Sequence, residues 1–184
     1  MWQGKVFFEE NNVEICVYRI ESVSGILMNN PTCMGGQGGG GMTGKKKYIP
    51  AEEAEMRGYR DPDTKVLRIP SIAFRSAMLK AAGGRKIGKA TARAVLAGSV
   101  FCCEEWCELL DHDGRPIKEY EIHAARVVVQ KSAVIRQRPL VREWSCRVPL
   151  EIDEEMIGNV EVVTQVLNLA GKIVGVMDWR VEKL

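Results

Sequence analysis

The sequence predicts an α+β protein: an antiparallel sheet with two main helices and one long glycine-rich insertion. Three observations predict it. Apolar residues alternate at 13–17 and again at 144–150, as in half-buried strands. Two segments, beginning near Ser71 and near Asp153, instead repeat their apolar residues at helical spacing with start and stop signals around them. Between the first strand and the first main helix lies Pro31 to Lys47, where seven residues are glycine and three consecutive lysines close the run. At 184 residues the chain has the length of one domain, and 46% hydrophobic with 27% charged residues is ordinary for a globular protein. A single domain over 1–184 is therefore expected.

Met1 to Phe8 reads as an extended or poorly ordered start. Val13 to Asn30 is the first strand region, with Val13, Ile15, Val17 and Ile20 as its apolar members and a bend at Ser24-Gly25. The glycine-rich stretch at 31–47 cannot bury enough apolar surface to hold itself in place, so it is expected as a flexible loop. It lacks the spacing of a phosphate-binding loop, because lysine follows Gly44-Lys45 where serine or threonine is required. Either it is a passive insertion, or Lys45, Lys46 and Lys47 form a basic finger over a nucleic-acid strand. Ala51 to Arg57 suggests a helical turn, and Tyr59 to Asp63 has turn chemistry.

The stretch from Leu67 to Arg93 organises the rest. Ile69-Pro70 enforces extended chain, since the residue before proline is pushed out of the helical region. Ser71 is placed to cap a helix whose apolar face is Phe74, Ala77, Met78, Ala81 and Ala82, and Gly83-Gly84 ends it. A basic loop follows with Arg85, Lys86, Lys89 and Arg93. From Thr64 to Cys103 there are eight Lys or Arg and no acid at all. A solvated surface mixes its signs, so a one-sign block points to an anion, unless acids from elsewhere fold beside it.

Ala94 to Cys103 reads as a strand. Glu104 to Glu121 carries seven acids around an Asp113-Gly114 hairpin turn. Arg126 to Arg136 and Arg142 to Ile152 read as further strands, the second alternating Trp144, Cys146, Val148 and Leu150 against Arg147 and Glu151. Asp153 caps the second main helix, with Glu154-Glu155 at its positive end and Ile157, Val160, Val163, Val166, Leu167 and Ala170 buried. Gly158 costs it about 1 kcal/mol relative to alanine. Gly171 is the expected stop, and Lys172 to Met177 the last strand.

This order of elements fits a split βαβ, ferredoxin-like or RNA-recognition-like sandwich. Ile69-Pro70 followed by Arg75 and Leu79 resembles the first helix of the RAMP superfamily, the RNA-binding backbone and processing subunits of CRISPR effector complexes. Arg136-Gln137-Arg138-Pro139 before Trp144, then Ala170-Gly171, Val174-Gly175 and Asp178-Trp179-Arg180, is similar to a group of phage and prophage proteins. RAMP proteins usually carry a C-terminal glycine-rich loop against the RNA backbone. Here the dense glycines lie near the first strand instead.

The resemblance implies a non-catalytic protein binding single-stranded nucleic acid, RNA in preference to DNA, as a repeated subunit in a CRISPR-like or phage-encoded complex. The expected phosphate contacts are Lys45, Lys46, Lys47, Arg75, Lys80, Arg85, Lys86, Lys89, Arg93, Arg136, Arg138, Arg142 and Arg180, with Trp144 as a stacking face. The acidic segment 104–121 would meet a neighbour's basic patch, head to tail. Two alternatives stand beside it: an endoribonuclease with His123 as general base, and a phage structural or assembly protein whose charges serve protein contacts only. His112, between two aspartates, reads as an exposed turn residue. Cys103, Cys107, His112 and Cys146 have one zinc-like spacing but no second close pair, so buried thiols are expected and no metal or other cofactor. No apolar run is long enough to span a membrane and no secretory signal is apparent, so a cytoplasmic protein is expected, in the host if phage-encoded.

Overall fold

Alternation at the end of the chain sets the main sheet. In Ser145–Asp153, Cys146, Val148, Leu150 and Ile152 are buried while Arg147 and Glu151 reach solvent. A computed structural model of the protein describes residues 4–6, 13–31, 49–129 and 132–178. Its strands are β1 (Gly4–Val6), β2 (Val13–Glu21), β3 (Ile26–Leu27), β4 (Arg68–Pro70), β5 (Lys86–Ile87), β6 (Ala90–Thr91), β7 (Val100–Cys102), β8 (Trp106–Glu108), β9 (Glu121–Val129), β10 (Ser132–Val141) and β11 (Ser145–Asp153). Its helices are α1 (Pro50–Arg57), α2 (Ser71–Ala81), α3 (Ala92–Ser99), α4 (Glu154–Ile157) and α5 (Glu161–Ile173). The class is α+β, with all pairings antiparallel.

The main sheet has the order β1-β2-β11-β7. Cys16, Tyr18 and Ile20 of β2 lie opposite Leu150, Val148 and Cys146 of β11. Opposed residues share a face, so the even-numbered side of β2 faces the core. Val13, Ile15 and Val17 occupy the other, half-buried face. The alternation in the sequence was therefore real but read one residue out of phase, and Ile20 belongs to the opposite face. The α2 residues Phe74, Ala77, Met78 and Ala81 and the α5 residues Val163, Val166 and Ala170 share this core with the sheet. A second sheet, β3-β10-β9, is built on a long hairpin, and α1 packs on β10.

Several expectations need correction. Ser71 does not cap α2 by accepting. Pro70 is the N-cap, and Ser71 is buried with its hydroxyl donating to the carbonyls of Glu104 and Glu105. Ala94 to Ser99 is helical and only Val100–Cys102 is strand. The strand expected at 126–136 is two strands, since β9 ends at Val129 and β10, paired antiparallel with it, begins at Ser132. The second main helix is split at Gly158, whose φ of 76° is left-handed and open to glycine at no steric cost. Asp153 does cap the first piece, accepting from the Met156 N–H at 3.1 Å. The second piece runs through Gly171 to Ile173, so Lys172 to Met177 is helix end and bend rather than strand. The glycine-rich stretch 32–48 lies outside the described residues.

Arg75 ties α2 to α3. Its guanidinium donates to the carbonyls of Ala97 and Val100, both at 2.7 Å, at the end of α3 where carbonyls lack helical partners. Arg75→Ala is expected to lower stability by about 1–3 kcal/mol, the cost of two carbonyls losing a charged donor. A lower urea midpoint with an unchanged m-value would confirm this; an unmoved midpoint would contradict it.

Candidate nucleic-acid interface

Four of the cations expected at the interface lie on or beside one short hairpin. After α2 the chain turns through Gly83-Gly84 into the β5–β6 hairpin, where Lys86 pairs with Thr91 and Ile87 with Ala90. Its two-residue turn is Gly88-Lys89, with Gly88 at φ 59°. A positive φ at the first turn position alone is the glycine-first hairpin type. The base is closed by the Ala92 N–H donating to Arg85 O at 2.9 Å, and Ile87 packs against the core. Arg85, Lys86, Lys89 and Arg93 are all exposed. Among the described residues none of the four meets a carboxylate. Arg93 also sits in the first turn of α3, which has no acid. A cation there opposes the helix dipole, so this arrangement gains nothing from the fold itself.

The other cations of the acid-free block are placed differently. Arg68 is paired with Asp61 at 2.8 Å. Arg75 is committed to the end of α3. Lys80 is exposed on the last turn of α2, beside the hairpin.

The arginines of the second sheet do not extend a bare basic track as expected. Arg136 meets Glu53 at 3.2 Å and Arg138 meets Asp178 at 3.0 Å. Arg142 grips Glu121 bidentately at 2.9–3.0 Å, and those bonds hold the Glu121 carboxyl below its ordinary range. The Arg142 pair is solvent-exposed, 64% and 57%, and so weak enough to exchange for a phosphate. Glu53 is a node, because its carboxylate also accepts from Arg57 Nε at 3.0 Å and from the Gln137 N–H at 3.2 Å.

Trp144, expected as a stacking face, is 8% exposed and part of the core, so it offers no surface to a base. Lys45, Lys46, Lys47 and Arg180 lie outside the described residues. His123 is half-buried on β9, directly across from Arg138. His112 is exposed at the turn, 3.3 Å from Asp113. Cys107 and Cys146 are buried, and burial pushes both thiols up, Cys107 to about 12. Among the described residues no group of three or more His, Cys, Asp or Glu could hold a metal ion.

One feature escaped sequence reasoning. A cleft of about 370 Å³ runs along α2, lined by Ala73, Ser76, Ala77 and Lys80 of the helix and by Val174 to Asp178. Tyr59 and Asn29 also line it. The sequence places Tyr59 within a turn, yet the turn proper is Asp61 to Thr64, where Asp61 Oδ1 accepts from the Asp63 and Thr64 N–H groups. Among the described residues no helix is long and apolar enough to cross a membrane. No protein-family model matches the chain, and no match is found among curated proteins.

Proposed function

We propose that this protein binds single-stranded nucleic acid without cleaving it, RNA in preference to DNA, as a RAMP-like repeated subunit in the cytoplasm. The observation that carries the reading is the β5–β6 hairpin, with four exposed cations and no carboxylate beside them among the described residues. A flexible polyanion supplies the missing charge at regular spacing. The preference for RNA rests on the resemblance of the Ile69-Pro70…Arg75 segment to RAMP proteins.

The connectivity supports a ferredoxin-like reading of the core. α2 lies between β2 and β7 in sequence, α5 follows β11, and the strand order is β2-β11-β7. β2 and β7 thus run parallel with β11 inserted between them, which supports reading the core as a split βαβ unit.

Head-to-tail assembly is supported by the placement of charge on α2. The basic hairpin follows its C-terminal end. The exposed Glu104 and Glu105 lie at its N-terminal end, where the Ser71 N–H donates to Glu105 O at 2.9 Å. The eleven residues of α2 separate these poles by about 16 Å along the helix axis.

The ribonuclease alternative is favoured by one observation: His123 lies across from Arg138, which holds Asp178. Titrating a labelled single-stranded RNA and measuring its anisotropy tests both readings. Binding with the strand recovered intact is the expected result. Cleavage that is lost in His123→Ala would favour the ribonuclease. No binding at low salt would leave the charges to protein contacts.

A further inference from the structure

We infer that the cleft along α2 receives one unstacked nucleobase of the bound strand, an inference that rests on the nucleic-acid reading above. Its volume, about 370 Å³, suits a flat group rather than a folded partner. The helix wall is made of short side chains at one helical spacing, Ala73, Ser76 and Ala77, so a flat group can approach the backbone closely. The Val174 to Met177 lining is largely apolar. Polar groups stand at the ends: Asn29, Asp178 and Lys80. This is the layout a base requires, with apolar contact for its faces and hydrogen bonding at its edge.

Two of the lining groups are held ready. The Tyr59 ring lies 5.8 Å from Trp106, and Trp106 is backed by the Arg68 guanidinium at 4.3 Å. Arg68 is itself fixed by Asp61. These contacts hold the Tyr59 ring, tilted 47° to Trp106, as an aromatic wall at low ordering cost on binding. Asn29 Oδ1 accepts from Arg57 Nη1 at 2.7 Å, which leaves its amide N–H groups as donors for a base edge. The site also adjoins the track. Lys80 ends the helix wall, and the chain passes from there through Gly83-Gly84 directly into Arg85 and Lys86. A strand gripped on the hairpin can therefore place a base in the cleft while Lys80 meets its phosphate.

The test compares two single strands of equal length, one bearing bases and one abasic, on the full chain. The parent protein is expected to hold the base-bearing strand about ten-fold more tightly than the abasic one, the effect of one stacked base. Tyr59→Ala, and separately Ser76→Leu, which fills the cleft from an exposed position, are expected to abolish that difference. Affinity for the abasic strand should stay within about two-fold, since the phosphate contacts are untouched. Ser76→Leu carries the test if Tyr59→Ala fails to fold by circular dichroism. A parent protein that does not distinguish the strands overturns the pocket but leaves the hairpin reading standing. So does a folded Ser76→Leu variant that still distinguishes them. If the parent binds neither strand, the nucleic-acid reading falls and the pocket with it.

Discussion

The double substitution Arg85→Glu with Lys86→Glu is expected to weaken binding of a single-stranded oligonucleotide by about 100-fold at low salt. Two attractions become two repulsions, each on the order of 1 kcal/mol in water-like surroundings and reduced by screening. The fold should not notice. Both side chains are exposed at the hairpin, and among the described residues neither has a carboxylate partner to lose, so each change should cost no more than about 0.5 kcal/mol. Glu119→Lys, a reversal of opposite sign on the exposed acidic segment, is the control, and a monomer's grip should stay or rise. Anisotropy titrations beside thermal melts would check all three. A double variant that folds and binds like the parent would remove the hairpin from the interface and favour the protein-contact reading.

Glu53→Ala is expected to be strongly destabilising, by about 3 kcal/mol. The Glu53 side chain is 12% exposed and that of its partner Arg57 7% exposed. Removing the carboxylate leaves the Arg57 guanidinium with Asn29 Oδ1 and takes the acceptor from the buried Gln137 N–H. Breaking a buried pair from one side typically costs about 3–5 kcal/mol, and the lower end applies because Arg136 can still reach water. For a chain of this size that is a fall of roughly 10 °C in melting temperature. Glu53→Gln keeps one acceptor oxygen for the arginines but sets an amide NH2 against the Gln137 N–H, so it should recover only part of that loss. Because the node joins α1 to β10, the Ala variant should also loosen the β9–β10 hairpin, seen as faster amide exchange there. An unmoved melting temperature would contradict the account.

The parts of the fold legible in the sequence were those fixed by local chemistry. Ile69-Pro70, the Phe74-to-Ala81 face and Gly83-Gly84 delimit α2 because proline, periodicity and glycine act within a few residues. The Asp153 cap and the β11 alternation were equally local. The run AVLAGSVFCC misled because its β-branched and small residues fit a buried strand as well as a helix. The helical period is carried only by Ala92, Leu96 and Ser99. No glycine or proline lies between Val129 and Ser132, so nothing in the sequence announced that the run divides into two strands. Gly171 was a false stop, since the helix continues to Ile173 and its C-cap residue Val174 is buried.

The candidate site divided along the same line. The hairpin cations were visible as a run of one sign. The pairings of Arg136, Arg138 and Arg142 were not, because their carboxylates lie 83, 40 and 21 residues away. The Tyr59 cleft joins four separate segments of the chain and has no motif of its own.

The salt dependence of strand binding tests the central claim most directly. If the four hairpin cations each neutralise one phosphate, the log–log slope of the binding constant against salt should be at least about −3, near 0.7 per contact. The slope should shrink by about 1.4 in the Arg85→Glu, Lys86→Glu variant, where two contacts are gone. A binding constant that barely changes between 50 and about 200 mM salt, or a slope identical in parent and variant, would contradict the claim that this hairpin holds the strand.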